Sequence, residues 1–361
     1  MYWLTIHHAG RACSTSVRTS THARQRSTYG MLRINSSKCS NRRLTMPHKR
    51  LRVLTWHVHG NYLYYLSQTP HDFYVVTKPG SPPGYGGCAG NLPWGPNMHE
   101  VPYDQVHAAS FDCVLYQHHK HYVEDRQHAL SEAQRQLPAL FVEHDPPREH
   151  PTDTLHPVQD PNVLLVHVTP FNALMWDNGV TPTRVIEHGV LLPDGVAYRG
   201  TLAKGVTVVN HLRKRGRRLG ADVFEAVREA VPLDLVGMGS TELGGIGEIP
   251  NLALPGFVAD YRFFFNPIRY TSLGLAVVEA MMLGSPIIAL ATTEMAQVVR
   301  SGHNGVADTR PAVLVDTMHH LLKDPVLARQ WGDAARRDAQ ERFNIARFTA
   351  DWDRALRDVA T

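Results

Sequence analysis

Cysteine is scarce in this chain: Cys13, Cys39, Cys88 and Cys113 are the only four among 361 residues, and none forms a C-x-x-C pair. That excludes a disulfide scaffold and a zinc ribbon or finger, and it fits a reducing compartment. No apolar run reaches the roughly 18 residues that a membrane-crossing helix needs. Repeats at solenoid periods are missing too. What is present is ordinary for a soluble globular protein, with 43% apolar and 19% charged residues, so neither global disorder nor a collagen-like chain fits. At about 150 residues per domain, the length predicts two domains.

Acidic residues are absent from the start of the chain, the first being Asp72. Residues 1–50 hold ten of the 37 Lys and Arg and none of the 33 acids, so the remainder is net acidic and the overall +4 comes from the head alone. The basic balance therefore gives no reason to expect nucleic-acid binding by the body. Residues 1–45, rich in Ser, Thr and Arg without apolar periodicity, are expected to be a disordered basic head. We read it as an upstream extension without a folded role, with Met46 as the natural start; the alternative is a transit peptide, whose composition it shares.

From Leu51 the pattern changes. Strand-like runs at Leu51–His59, Asp72–Thr77, Phe111–Tyr116, Ala139–Glu143, Val163–Val168 and Thr183–Ile186 alternate with helix-like segments at Tyr62–Leu66, Glu124–Gln136 and Phe171–Asp177. Turn residues without periodicity over 191–205 mark a linker. A second alternation follows: strands at Val206–Val209, Leu233–Val236, Tyr261–Asn266 and Pro286–Ala291, helices at Gly220–Ala230 and Leu275–Leu283, then helices to the end. The last places Phe348, Trp352, Leu356 and Val359 on one docking stripe. The expected class is α/β, with two Rossmann-like doubly wound domains facing across a cleft. The expected boundaries are 46–195, 196–345 and a C-terminal helix at 346–361. Chemistry belongs where the carboxyl ends of both sheets meet.

The segment from Phe263 to Leu290 is the most informative. An apolar strand ends at Asn266-Pro267, a loop carries Ser272, Leu273 and Gly274, and a helix opens at Leu275 with Glu279 in its early turns. Unpaired amides and the helix dipole there suit a diphosphate, and Gly274 lets a ligand approach the backbone closely. A carboxylate one or two turns along can accept hydrogen bonds from a ribose diol.

This segment resembles the C-terminal signature of GT4-type retaining glycosyltransferases (glycosyl transferases group 1) of the GT-B fold, in which an E-x7-E motif precedes a G-x-P strand start. Glu279 matches the second acid and Gly284-Ser-Pro286 the G-x-P. Ser301-Gly-His-Asn-Gly305, Leu322-Lys-Asp-Pro325 and Glu341-Arg-Phe343 are similar to later family phrases, and Leu235-Val-Gly-Met-Gly239 resembles the glycine turn beside the nucleobase, with Gly237 and Gly239. Val185-Ile-Glu-His-Gly-Val190 resembles a phrase before the linker, and Gly60 the family's N-domain glycine loop. The resemblance covers about residues 51–360 and is strongest from 206.

Two positions depart from it. The first acid of E-x7-E falls on Thr271, a neutral hydroxyl where the family contacts the donor sugar. In the loop Val209–Leu219, His211 stands at the family's Arg position, and Arg217 or Arg218 is the nearest stand-in for its Lys. Arg213, Lys214, Arg215, Arg217 and Arg218 crowd the same loop and can meet the diphosphate requirement, although such a run can also be a solvated loop. His144, at the tip of Phe141–Asp145, corresponds to a histidine that faces the donor sugar; a satisfied structural histidine is the competing reading. His118, His119 and His121 read as surface or packing residues, and His150 with His156 lack metal-ligand spacing.

The resemblance implies transfer of a sugar from a nucleotide-diphosphate donor to an acceptor hydroxyl with retained configuration. It implies no cofactor beyond that co-substrate, no catalytic metal, and a glycan, lipid-linked or small-molecule acceptor. The expected location is cytoplasmic, with peripheral membrane association left open. The alternative is a non-catalytic nucleotide-sugar or glycan binder, motivated by Thr271 and His211. A nicotinamide-dependent dehydrogenase is disfavoured, because Glu242 stands where a third glycine after Gly237 and Gly239 is required.

Overall fold

A computed structural model describes residues 49–361; the expected basic head over 1–45 lies outside the described residues. Twelve strands among these residues form two sheets, each wholly parallel. The first sheet contains β1 (Arg52–Thr55), β2 (Asp72–Thr77), β3 (Met98–Pro102), β4 (Cys113–Tyr116), β5 (Ala139–Glu143), β6 (Val163–His167) and β7 (Thr183–Val185), in the order 3-2-1-4-5-6-7. The second contains β8 (Leu202–Val208), β9 (Leu233–Val236), β10 (Tyr261–Asn266), β11 (Ile287–Leu290) and β12 (Gly305–Asp308), in the order 12-11-10-8-9.

Central strands are apolar because helices cover both faces: β4 and β11 are buried at every residue. The strand order reverses between β1 and β4 in one sheet and between β8 and β10 in the other. A crevice opens at each reversal beyond the carboxyl ends of the strands. Those ends lead into His59-Gly60 and Gln117 on one side, and into Asn210-His211 and Asn266-Pro267 on the other.

The C-terminal helix, Ile345–Ala360, docks as its stripe predicts, with Asn344 Oδ1 capping the Arg347 amide at 2.7 Å. Phe348, Trp352 and Leu356 are fully buried and Val359 partly so. The stripe packs on the first lobe, where Trp352 Nε1 donates to the Tyr62 hydroxyl at 3.2 Å and Phe348 meets the Tyr62 ring edge-on. Truncating a buried aromatic of this size costs about 3–5 kcal/mol.

Four expectations change. The run Leu51–His59 is strand only to Thr55; Trp56 then buries between Tyr116 and His121, and the chain turns into the helix Gly60–Leu66. Glu124–Gln136 is not one helix, because Ser131 opens a new one, Glu132–Arg135, through a reciprocal capping box with Gln134. β8 begins at Leu202 instead of Val206, its first three residues being exposed and without an apolar signal. β3 and β12 are additional strands. Both lie at sheet edges and bury one residue each, Val101 and Gly305, which leaves little periodicity to read.

Candidate functional site

The helix Leu275–Leu283 begins at Gly274, which carries no side-chain cap. Val277 and Val278 amides donate to the Gly274 carbonyl, whereas those of Leu275 and Ala276 find no acceptor among the described residues. Both residues line a cavity of about 400 Å³ between the lobes, walled by His59, Gly60 and Asn61 on one side and by Asn210, Gly237, Met238, Glu248 and Glu279 on the other. A Cβ placed on Gly274 would meet nothing within 4 Å, and its φ of −69° is ordinary. The start of this helix is thus open and faces the opposite lobe, with two donors free for an anion.

Glu279, one turn further, reaches across the gap. Its Oε1 accepts from Tyr65 Oη at 2.8 Å and Asn61 Nδ2 at 3.0 Å, while Oε2 has no partner among the described residues and Glu279 borders the cavity. Burial holds its carboxyl above the usual carboxylate range, against the opposing pull of the two donors.

The loop before the helix is held by its neighbours. Arg269 and Tyr270 amides donate to the Arg218 carbonyl, both at 3.1 Å, and the Arg269 guanidinium pairs with Asp222. Gly220 must be glycine: its φ is +79° and a Cβ would fall 1.9 Å from the Pro267 carbonyl oxygen. Ser272 and Leu273 are buried and serve the lobe interface. Ser272 Oγ donates to the His144 carbonyl at 2.7 Å, and the Leu273 carbonyl accepts from His188 Nε2 at 2.8 Å. Tyr270 Oη also crosses, to the Pro147 carbonyl.

The arginine loop separates into two groups. Arg215 and Arg218 are half-buried, and each is held below the ordinary arginine range by burial and then by neighbouring arginines, Arg148 among them, with Asp145 opposing. Arg217 stands apart: it is exposed and paired with Asp222 at 2.6 Å. Arg213 and Lys214 are exposed. His211 is also exposed, in the left-handed region at φ +53°, with its ring beside Gly239.

The opposite wall is built of histidines. His144 is half-buried, its ring 4.3 Å from that of His59 and edge-on to Tyr62, with Nε2 3.3 Å from Gln117 Oε1. Burial, then the neighbouring histidines, drive its pKa well below the usual range. His188 is pushed down to about 4 by burial. His59 is lowered by burial against the pull of Asp145. These imidazoles are neutral at pH 7; His59 lines the cavity, whereas His188 lies buried with Nε2 on the Leu273 carbonyl. His121 is buried against Trp56, whereas His118 and His119 are exposed, and no cluster of three metal-ligating side chains occurs among the described residues.

Sequence reading missed Asn61, Tyr65, Asp145 and Glu248. Asn61 and Tyr65 lie on the first helix in the i, i+4 relation that puts both on one face. Nothing in sequence says that this face meets Glu279.

Two parallel sheets with reversals facing a shared cavity define a GT-B, Rossmann-like fold. Known proteins agree. Residues 205–324 match the family model described as Glycosyl transferases group 1, in line with the glycosyltransferase resemblance seen in the sequence over that stretch. A D-inositol 3-phosphate glycosyltransferase of Streptomyces bingchenggensis (strain BCW-1) is 36% identical over 96 residues, which are 26% of this chain and 19% of that protein. The chain thus spans about a fifth of the length of the curated relative it matches. Among solved structures, sucrose-phosphate synthase from Thermosynechococcus elongatus superposes with a TM-score of 0.61 at 17% identity, over 86% of this chain and 99% of that one. Anabaena HepE in complex with UDP-glucose gives 0.58 at 14% identity, over 86% and 100%. At these identities the likeness is one of fold. No helix among the described residues is long and apolar enough to cross a membrane.

Proposed function

We propose that this protein is a GT4-type glycosyltransferase that moves a sugar from a nucleotide-diphosphate donor to an acceptor hydroxyl with retention of configuration. One observation carries the reading: the unpaired amides of Leu275 and Ala276 open into the interlobe cavity beside the free Oε2 of Glu279. In it, the amides and the helix dipole receive the diphosphate, and Arg215 and Arg218 add charge at the same edge. Glu279 Oε2 accepts from the ribose diol, and Gly237, Met238 and Glu248 border the space left for the base. The match of residues 205–324 to the glycosyl transferases group 1 model supports the same reading, as does the likeness to HepE, whose structure holds UDP-glucose.

In the reaction the bond between the anomeric carbon and the diphosphate oxygen breaks, its electron pair leaving with the diphosphate. The acceptor oxygen bonds to the same carbon, and its proton passes to the departing phosphate oxygen. The chain contributes preorganised positive potential at the leaving group, which is worth several kcal/mol in a site shielded from water. His144, neutral and held near Gln117, offers a hydrogen bond to a sugar hydroxyl without competing for the proton. No metal and no further cofactor enter this scheme. The acceptor is a glycan, a lipid-linked sugar or a small molecule, met on the histidine wall, and the protein acts in the cytoplasm or at the membrane face.

A thermal-shift screen against UDP-, GDP- and ADP-sugars tests it. One donor is expected to raise the midpoint, because a ligand at 100 times its Kd stabilises the folded state by about 2.7 kcal/mol. Absence of any shift with all three overturns the proposal. Binding without donor hydrolysis or transfer would favour the non-catalytic binder.

A further inference from the structure

Asp145 follows His144 beyond the end of β5, half-buried at the gap between the lobes. Its Oδ1 lies 3.4 Å from Thr271 Oγ1, and its other oxygen pairs with Arg148. Its charge also reaches His59, Arg215 and Arg218. Thr271 is three residues before Gly274, on the loop that leads into the helix with the two free amides. A negative group is therefore present beside position 271, but it comes from the first lobe and not from 271 itself.

The two positions exclude each other as acids. A carboxylate at 271 would lie within about 4 Å of the Asp145 carboxylate, where two like charges repel by about 4 kcal/mol at the dielectric of a protein surface. The arginines around Asp145, namely Arg148, Arg215 and Arg218, would then have to serve two carboxylates. With Thr at 271 the conflict disappears, and the hydroxyl donates to Asp145 instead.

We propose that Asp145 is the carboxylate that accepts hydrogen bonds from the donor sugar's hydroxyls, in place of the acid absent from position 271, with Thr271 Oγ1 fixing its orientation. This rests on the donor reading above and adds to it a specificity-determining residue on the opposite lobe. The sugar contact and the diphosphate contact then belong to different lobes. A nucleoside diphosphate engages the second lobe without Asp145, and the complete donor is gripped only when both lobes are in place.

The test compares Asp145→Asn, Thr271→Val, Thr271→Glu and the double variant Asp145→Asn/Thr271→Glu, using the best of UDP-, GDP- and ADP-glucose and its free nucleoside diphosphate. The readouts are kcat/KM for donor hydrolysis, which needs no acceptor, and the Kd of the nucleoside diphosphate by calorimetry. Asp145→Asn is expected to lower kcat/KM by about 10- to 100-fold, the range of a charged hydrogen bond, while nucleoside diphosphate affinity holds within about threefold or tightens. Thr271→Val is expected to lower kcat/KM a few-fold. Thr271→Glu should be as impaired as Asp145→Asn, and the double variant should recover at least about tenfold over either single change. Wild-type kcat/KM in Asp145→Asn, equal losses for sugar donor and nucleoside diphosphate, or a double variant no better than Thr271→Glu would each overturn it. If the wild-type protein binds no nucleoside diphosphate at all, it is the donor reading that fails, and Asp145 loses its ligand with it.

Discussion

The two walls of the cleft solve opposite problems. On the second lobe, Leu275 and Ala276 leave two amides free, and Arg215 and Arg218 crowd together near Arg148, so positive groups gather on this wall. On the first lobe, burial keeps the imidazoles of His144 and of His188, from the segment leading to the linker, uncharged, and the pKa of His59 at the cavity edge is lowered too. Positive charge for an anion gathers on the second lobe, whereas on the first the Asp145–Arg148 pair stands beside neutral imidazoles. Neutral imidazoles do not compete with the arginines for the diphosphate, and the Asp145 carboxylate beside them suits sugar hydroxyls.

The largest expected effect breaks the charged wall. Arg215→Ala/Arg218→Ala should weaken nucleoside diphosphate binding by about 100-fold or more, at roughly 1.5–3 kcal/mol for each charge-assisted contact, whereas Arg217→Ala, already paired with Asp222, should leave the Kd within about twofold. Isothermal calorimetry separates the two, and an equal loss in Arg217→Ala would erase the distinction drawn within the loop.

The neutral wall is tested by acid. His188 has a folded-state pKa of about 4, below the unfolded value of about 6.5, so the unfolded chain binds the extra proton. Its contribution is fully present above about pH 6.5 and is lost as pH falls toward 4, up to about 3 kcal/mol for this one group. Thermal midpoints across that window should fall less steeply in His188→Gln than in the parent chain. Equal slopes would show that His188 is not held neutral.

Where the walls touch, Glu279→Ala should weaken donor binding about tenfold and, by stranding Asn61 and Tyr65, lower stability by about 1–3 kcal/mol. Unchanged donor affinity by calorimetry would remove the ribose role from Glu279. Smallest is Gly274→Ala. Because the added methyl meets open space at an ordinary φ, stability should shift by no more than about 0.5 kcal/mol while donor affinity drops a few-fold. A large loss of stability would mean that the glycine serves the backbone and not the ligand.

Much of this was legible in the sequence. The strands Asp72–Thr77, Ala139–Glu143, Leu233–Val236 and Tyr261–Asn266 and the helix Leu275–Leu283 begin and end where periodicity and turn residues place them. Strong apolar runs bounded by Gly, Pro and Asn leave little freedom. β3 and β12 escaped because an edge strand buries too little to write an alternation into the chain. In the site, Gly274, Leu275 and Glu279 could be singled out because their meaning is local: an uncapped helix start and a carboxylate one turn on. Arg215 and Arg217 could not be told apart. They differ in which neighbour they face, and Asp222 and Asp145 are brought to them by different elements.

The amino-acid sequence by itself determined the two alternating halves, the docking stripe of the last helix and the open helix start, since each depends on residues within a turn or a few of one another. Only the tertiary structure decided that Asn61 and Tyr65 hold Glu279 across the gap, that the histidines are neutral, and that Asp145 stands against Thr271. Those contacts join positions 126 to 218 residues apart. Burial and electrostatic environment are set by what the fold places around a group, which its sequence neighbours do not specify.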